Sequence, residues 1–129
     1  MDIGNYDIEK ILMAMYGIAK KCVTKVFTSE RPSATVEALD RFIVISLSGN
    51  ISNHLALGEA TAKFELFIRD RKSGLEDTSS VSEIQRLLYD QLPCTVEDKW
   101  MFSSPMLIPI GSDGKGFHVY TVISNLIIL

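Results

Sequence analysis

Hydrophobic and polar residues alternate most clearly from Ala62 to Asp70. Ala62, Phe64, Leu66 and Ile68 fall on one side of an extended chain, and Lys63, Glu65, Phe67 and Arg69 fall on the other. This period of two predicts a strand with one core face. A lone amphipathic ribbon is marginal in water, so the strand requires partner strands and an apolar layer laid across it. Phe42, Ile43, Val44 and Ile45 in succession predict one such partner from Arg41 onward. Ile43, Ile45 and Leu47 lie on one face of it and Phe42, Val44 and Ser46 on the other, so its second face is also partly covered. Ser48 to Asn53, rich in serine, asparagine and glycine, predicts the loop between the two.

The apolar layer comes from two helical stripes. Between Tyr6 and Cys22, the residues Ile8, Ile11, Leu12, Met15, Ile18, Ala19 and Cys22 recur at steps of three and four. Asp7 and Glu9 in the first turn and Lys20 and Lys21 in the last complement the helix dipole. Gly17 weakens the interior of this helix, which suggests a close approach to the sheet. A second stripe of Val81, Ile84, Leu87, Leu88 and Leu92 follows Ser80, which with Glu83 forms a capping-box pattern, and Pro93 ends it. Between the helices, Val23 to Ser29 reads as a short strand, and Arg31-Pro32 as an extended break before the next one. Arg71 to Ser79, polar and containing Gly74, reads as a connection.

The last third predicts two long arms. Lys99 to Ile110 is apolar but carries Pro105 and Pro109, which place it at a sheet edge or make it irregular. Gly111 to Gly116 centres on Asp113-Gly114, the strongest short-range hairpin signal, and Phe117 to Leu129 is a β-prone finish. The predicted order is α-β-β-β-α-β-β. It describes a single α+β domain over residues 1–129, a mostly antiparallel sheet with two helices packed on one face.

Composition narrows the function more than it identifies it. At 129 residues with 47% apolar content, the chain is long enough to build one core without staples. Thirteen basic and sixteen acidic residues give a net charge of −3 without long runs, which argues against DNA or RNA as a ligand. No stretch approaches the roughly 20 apolar residues of a membrane span, and Ser124 and Asn125 interrupt the apolar C-terminal segment. Met1-Asp2-Ile3-Gly4 lacks the start of a signal peptide, and the two cysteines, Cys22 and Cys94, read as buried free thiols in a reducing compartment. The expected location is the cytoplasm, or the virion if the chain is phage-derived. The sequon Asn50-Ile51-Ser52 then carries no weight.

Candidate chemistry is sparse. Gly111-Ser112-Asp113-Gly114-Lys115-Gly116 invites a phosphate-loop reading, but Phe117 and His118 follow where Lys-Ser/Thr and a helix are needed, so the hairpin turn is preferred. His54 and His118, the only histidines, have no ligand spacing around them, and no serine sits in a nucleophile elbow. Lys63, Glu65, Arg69, Asp70 and Arg71 read as cross-strand charges on an outer face. No catalytic, cofactor-binding or metal-ligating residue is expected, and the chain is not read as an enzyme.

An apolar surplus is what remains. Phe42, Val44, Phe67, Trp100, Phe102, Leu126 and Ile128 place large groups on both faces of several strands, while two helices cover only one face. They are candidate interface residues for a homo-oligomer or a protein partner, unless register or a loop buries them within the monomer.

The element order, the Arg31-Pro32 segment leading into Phe42-Ile43-Val44-Ile45, and the ending Asp113-Gly114-Lys115-Gly116-Phe117-His118 with its apolar strand together resemble the tail-terminator and tail-completion proteins of tailed phages. The resemblance implies a non-enzymatic ring-former that caps the tail tube and presents a surface to the head connector. It carries over no functional residue. The same order is similar to type III secretion chaperones, small acidic dimers that hold an extended client segment, although a third C-terminal helix is missing. A small ligand-binding α+β domain, with a pocket between helices and sheet, is the third possibility.

Overall fold

The computed structural model describes residues 4–28, 40–48 and 58–129. Arg31-Pro32, the sequon at Asn50, His54 and most of the loop after Ser48 lie outside them. A 3-10 turn at Gly4–Tyr6 leads into α1 (Ile8–Lys20), then β1 (Val26–Thr28), β2 (Arg41–Ser48), β3 (Gly58–Arg69) and α2 (Thr78–Gln91). Four strands follow: β4 (Cys94–Val96), β5 (Trp100–Phe102), β6 (Met106–Ser112) and β7 (Phe117–Ile128).

The strands form one sheet in the order β1-β2-β3-β7-β5-β4, with β6 also paired to β7. β1 runs parallel to β2, and every other pairing is antiparallel. β3 takes one edge of β7 along its whole length, from Gly58 opposite Ile128 to Arg69 opposite Phe117. The other edge of β7 is therefore shared. β6 pairs with its first half, Met106 opposite Ile123, and β5 with its second, Trp100 opposite Ile128.

Both helices lie on one face, as the sequence predicts. Ile11, Met15 and Ile18 of α1 and Val81, Ile84 and Leu88 of α2 close over Ile43, Ile45, Phe64, Leu66 and Val122 in the main core. Side-chain alternation along the strands produces that face. Asp7 caps α1 by accepting from Glu9 N at 3.0 Å. Ile8 lies at the margin of the α1 stripe and is exposed, lining a surface groove with Leu12, Met13, Tyr16 and Thr28. Gly17 does not mark a close approach: a Cβ there would meet nothing within 4 Å.

The cap of α2 is Asp77, three residues ahead of the predicted start. Its carboxylate accepts from both Ser80 N, at 3.2 Å, and Ser80 Oγ, at 2.8 Å. Asp77 and Ser80 thus satisfy one another at the spacing the sequence assigned to Ser80 and Glu83. Leu92 is extended, with φ −119° and ψ 141°, as a residue before proline should be.

Three strands stand where two arms were predicted, and a further strand, β4, precedes them. A hairpin joins β4 to β5 through Glu97 and Asp98, both at positive φ, 53° and 56°, and Lys99 N donates to Val96 O at 3.0 Å to close it. Ser103 then ties the chain to β7: its N–H donates to Asn125 O at 2.8 Å, and its carbonyl accepts from the buried Ser124 hydroxyl at 2.7 Å. The turn before β7 forms as Asp113-Gly114 predicts. Asp113 accepts from Lys115 N at 2.7 Å and Phe117 N at 3.1 Å, while Gly114 supplies a φ of 75°. β6 is irregular as its prolines require, with a register shift between Pro109 and Gly111.

Candidate interaction surface

The face turned away from the helices has two unlike halves. At one end, Phe42, Val44, Phe67, Phe117 and Val119 form a second buried cluster, with Phe27 packed against it. Phe42 stacks on Phe67 with ring centroids 4.7 Å apart, and meets Phe27 and Phe117 edge-on at 5.7 and 5.5 Å. The Arg69 guanidinium lies 4.6 Å over the Phe117 ring and covers the cluster from its rim.

The candidate interface residues read from the sequence all lie inside the single chain. Phe42, Val44 and Phe67 belong to this second cluster, and Trp100, Phe102, Leu126 and Ile128 to the main core, none more than 8% exposed. Register explains the second group. Trp100 opposes Ile128 and Phe102 opposes Leu126, which puts all four on the helix side of the sheet. Mutual packing of aromatic rings and the covering Arg69 explain the first. None of the seven offers an apolar surface to a partner.

Other residues do. On the same outward face, Met101 lies opposite Ile127 and Met106 opposite Ile123, with Ile108 next along β6 opposite Thr121. Met106 is 59% exposed, Met101 and Ile108 are also exposed, and Ile123 and Ile127 are half-buried. These side chains lie on one outward face of β5, β7 and β6, with the exposed Asn125 between Ile127 and Ile123 and the exposed Ile110 following at the bulge. Thr61, Lys63 and Glu65 of β3, opposite Asn125, Ile123 and Thr121, form its polar border. An apolar strip with a polar border is the pattern of a protein contact surface. Its sequence signal is the i, i+2 pair Met106 and Ile108, hidden between Pro105 and Pro109.

The remaining candidates resolve into local pairs. His118 Nδ1 lies 2.5 Å from Asp70 Oδ1, and Asp70 N donates to Gly116 O at 2.9 Å, so both bonds tie the end of β3 to the start of β7. Ser112 opposes His118 across the strands, but its hydroxyl accepts from Gly114 N at 3.1 Å within the turn. Arg69 reaches Asp40 at 3.9 Å and Arg71 reaches Asp77 at 3.7 Å. The charged cluster of the sequence is therefore divided among separate partners. Cys22 and Cys94 are free thiols, Cys22 buried as expected and Cys94 only half-buried at the start of the short β4. Burial first, and Asp90 second, push the Cys22 thiol up from its ordinary 9.0 to about 11 against the opposing pull of Lys21. Burial raises Cys94 as well. Among the described residues, no group of three or more His, Cys, Asp or Glu is placed to hold a metal ion, and no helix is long and apolar enough to cross a membrane.

No protein-family model matches the chain, and no curated protein is detectably similar to it in sequence.

Proposed function

We propose that this chain is a non-enzymatic assembly protein that works by associating with copies of itself, in the manner of the phage tail-terminator and tail-completion proteins it resembles. The observation that carries the reading is the exposed strip of Met101, Met106, Ile108, Ile123 and Ile127 on a sheet face that the helices do not cover. Placing that strip against a second copy removes apolar surface from water at roughly 25 cal/mol per Å².

A second patch favours a ring over a twofold dimer. Ile8, Leu12, Met13 and Tyr16 line a groove of about 410 Å³ beside Thr28 of β1, at the opposite edge of the sheet and on its helix side. Two unlike patches on opposite sides suit a head-to-tail contact, which closes into a ring when the rotation allows, whereas a twofold contact uses one patch twice. The virion of a tailed phage is the setting that such a ring would occupy.

Size-exclusion chromatography with light scattering, over a concentration series and at two salt concentrations, tests the reading. A closed oligomer of more than two copies that resists salt is the expected result. A dimer would turn the reading towards the secretion-chaperone type, and a monomer at every concentration would overturn it.

A further inference from the structure

Gly17 stands in the middle of α1, exposed, with nothing within 4 Å of the place a Cβ would occupy. Glycine weakens a helix interior relative to alanine, and no neighbour among the described residues requires it here. Its effect is external. It lowers the floor of a groove of about 590 Å³ between α1 and the β4–β5 hairpin, within the size range of small-molecule sites.

The groove has a consistent chemistry. Met13 and Gly17 form one wall and Val96 the other, with the buried Ile18 and Trp100 behind them. The Trp100 indole is fixed in place, its Nε1 donating to Asn5 O at 2.8 Å. Lys10 of α1, Lys21 at its C-cap and Lys99 from the hairpin stand at the rim, with Lys99 Nζ 5.8 Å from the Trp100 ring centre. Among the described residues, no carboxylate is within ion-pair distance of these three lysines. Glu97 is the one acidic residue of the lining, so the groove is locally positive in a chain of net charge −3. An apolar floor under a rim of ammonium groups selects one kind of molecule.

The geometry points to a binding site for a small amphiphilic anion, an aliphatic or aromatic body carrying a single carboxylate. The body lies across Gly17 against Met13 and Val96, and the carboxylate meets the lysine rim. This site is separate from the apolar strip and shares only Met13 with the groove of Ile8, Leu12 and Tyr16.

Trp100 is the only tryptophan of the chain and lies buried just behind the groove, so its fluorescence responds to occupancy. The full chain is titrated with decanoate below its micelle concentration, with circular dichroism confirming that the fold is kept. Saturable binding is expected. Octanoate, shorter by two methylenes, should bind up to about fifteenfold more weakly, since each buried methylene contributes about fourfold. Decyltrimethylammonium, with the same chain and the opposite charge, should not compete. Gly17→Leu, which fills the groove from a position free of contacts, should weaken decanoate at least tenfold, and the triple change of Lys10, Lys21 and Lys99 to Gln should do the same by a different route. Met106→Ser with Ile108→Ser should leave binding unchanged. Absence of saturable binding overturns the proposal. So does equal binding to Gly17→Leu, equal binding of the cationic amphiphile, or loss of binding in the Met106/Ile108 variant, which would place the anion on the apolar strip.

Discussion

The two halves of the outward sheet face are built from similarly hydrophobic strands and end in opposite states. In the closed half, four phenylalanines on four strands, Phe27, Phe42, Phe67 and Phe117, meet one another across the sheet, and Arg69 covers the rim. In the open half, Met101, Met106 and Ile108 stand on short or bulged strands that share one edge of β7, and they remain exposed. The difference shows that hydrophobicity alone does not decide what a strand buries. Rings on adjacent strands cover one another, each pair adding about 0.5–1.5 kcal/mol beyond its area. Unbranched and aliphatic side chains at a sheet edge do not.

The strongest way to break this comparison is to remove the ring at the centre of the closed half. Phe42→Ala should cost about 3–5 kcal/mol in urea unfolding, because the ring is fully buried between three others. A cost below about 1 kcal/mol would mean that the closed half is no core at all.

On the helix side, Cys22 makes stability depend on pH. Below pH 9 the Cys22 thiol is neutral in both folded and unfolded chains and contributes no pH dependence. Above it, the unfolded thiol ionises while the folded one stays protonated until about 11, so stability falls across that window. The shift from 9.0 to about 11 corresponds to roughly 2–3 kcal/mol lost by the upper end. Unfolding of Cys22→Ala alongside the wild type at pH 8 and pH 11 isolates this loss, and the gap between the two proteins should shift by that amount.

Arg69→Ala sharpens the comparison at its boundary. Removing the side chain over Phe117 should cost about 1 kcal/mol in stability and raise binding of an apolar dye, because the closed half loses its cover. The smallest effect belongs to the open half. Met106→Ser should change the stability of the isolated chain by no more than about 0.5 kcal/mol, since its side chain is already 59% exposed.

The sequence carried the frame of this fold and little of its surface. α1 was legible from the spacing of Ile11, Met15 and Ile18, the end of α2 from Pro93, and the last hairpin from Asp113-Gly114, because each signal acts within one turn or one strand. β4 and β5 were hidden for a physical reason: three-residue strands show no periodicity, and their turn uses Glu97 and Asp98 at positive φ where glycine or asparagine would have announced it. The interface residues required register. Trp100 and Phe102 read as surplus until pairing with Ile128 and Leu126 puts them under the helices, and Phe42 reads as exposed until Phe67 and Phe117 are beside it. Gly17 was visible in the sequence, but only the empty space around it turns it from a packing residue into the floor of a groove.

The claim that the open half is an association surface is tested most directly by light scattering of the wild type beside the double variant Met106→Glu, Ile108→Glu at matched concentrations. The wild type is expected as a closed oligomer of more than two copies and the variant as a folded monomer. A wild-type monomer at every concentration, or an oligomer that the two glutamates leave intact, would contradict it.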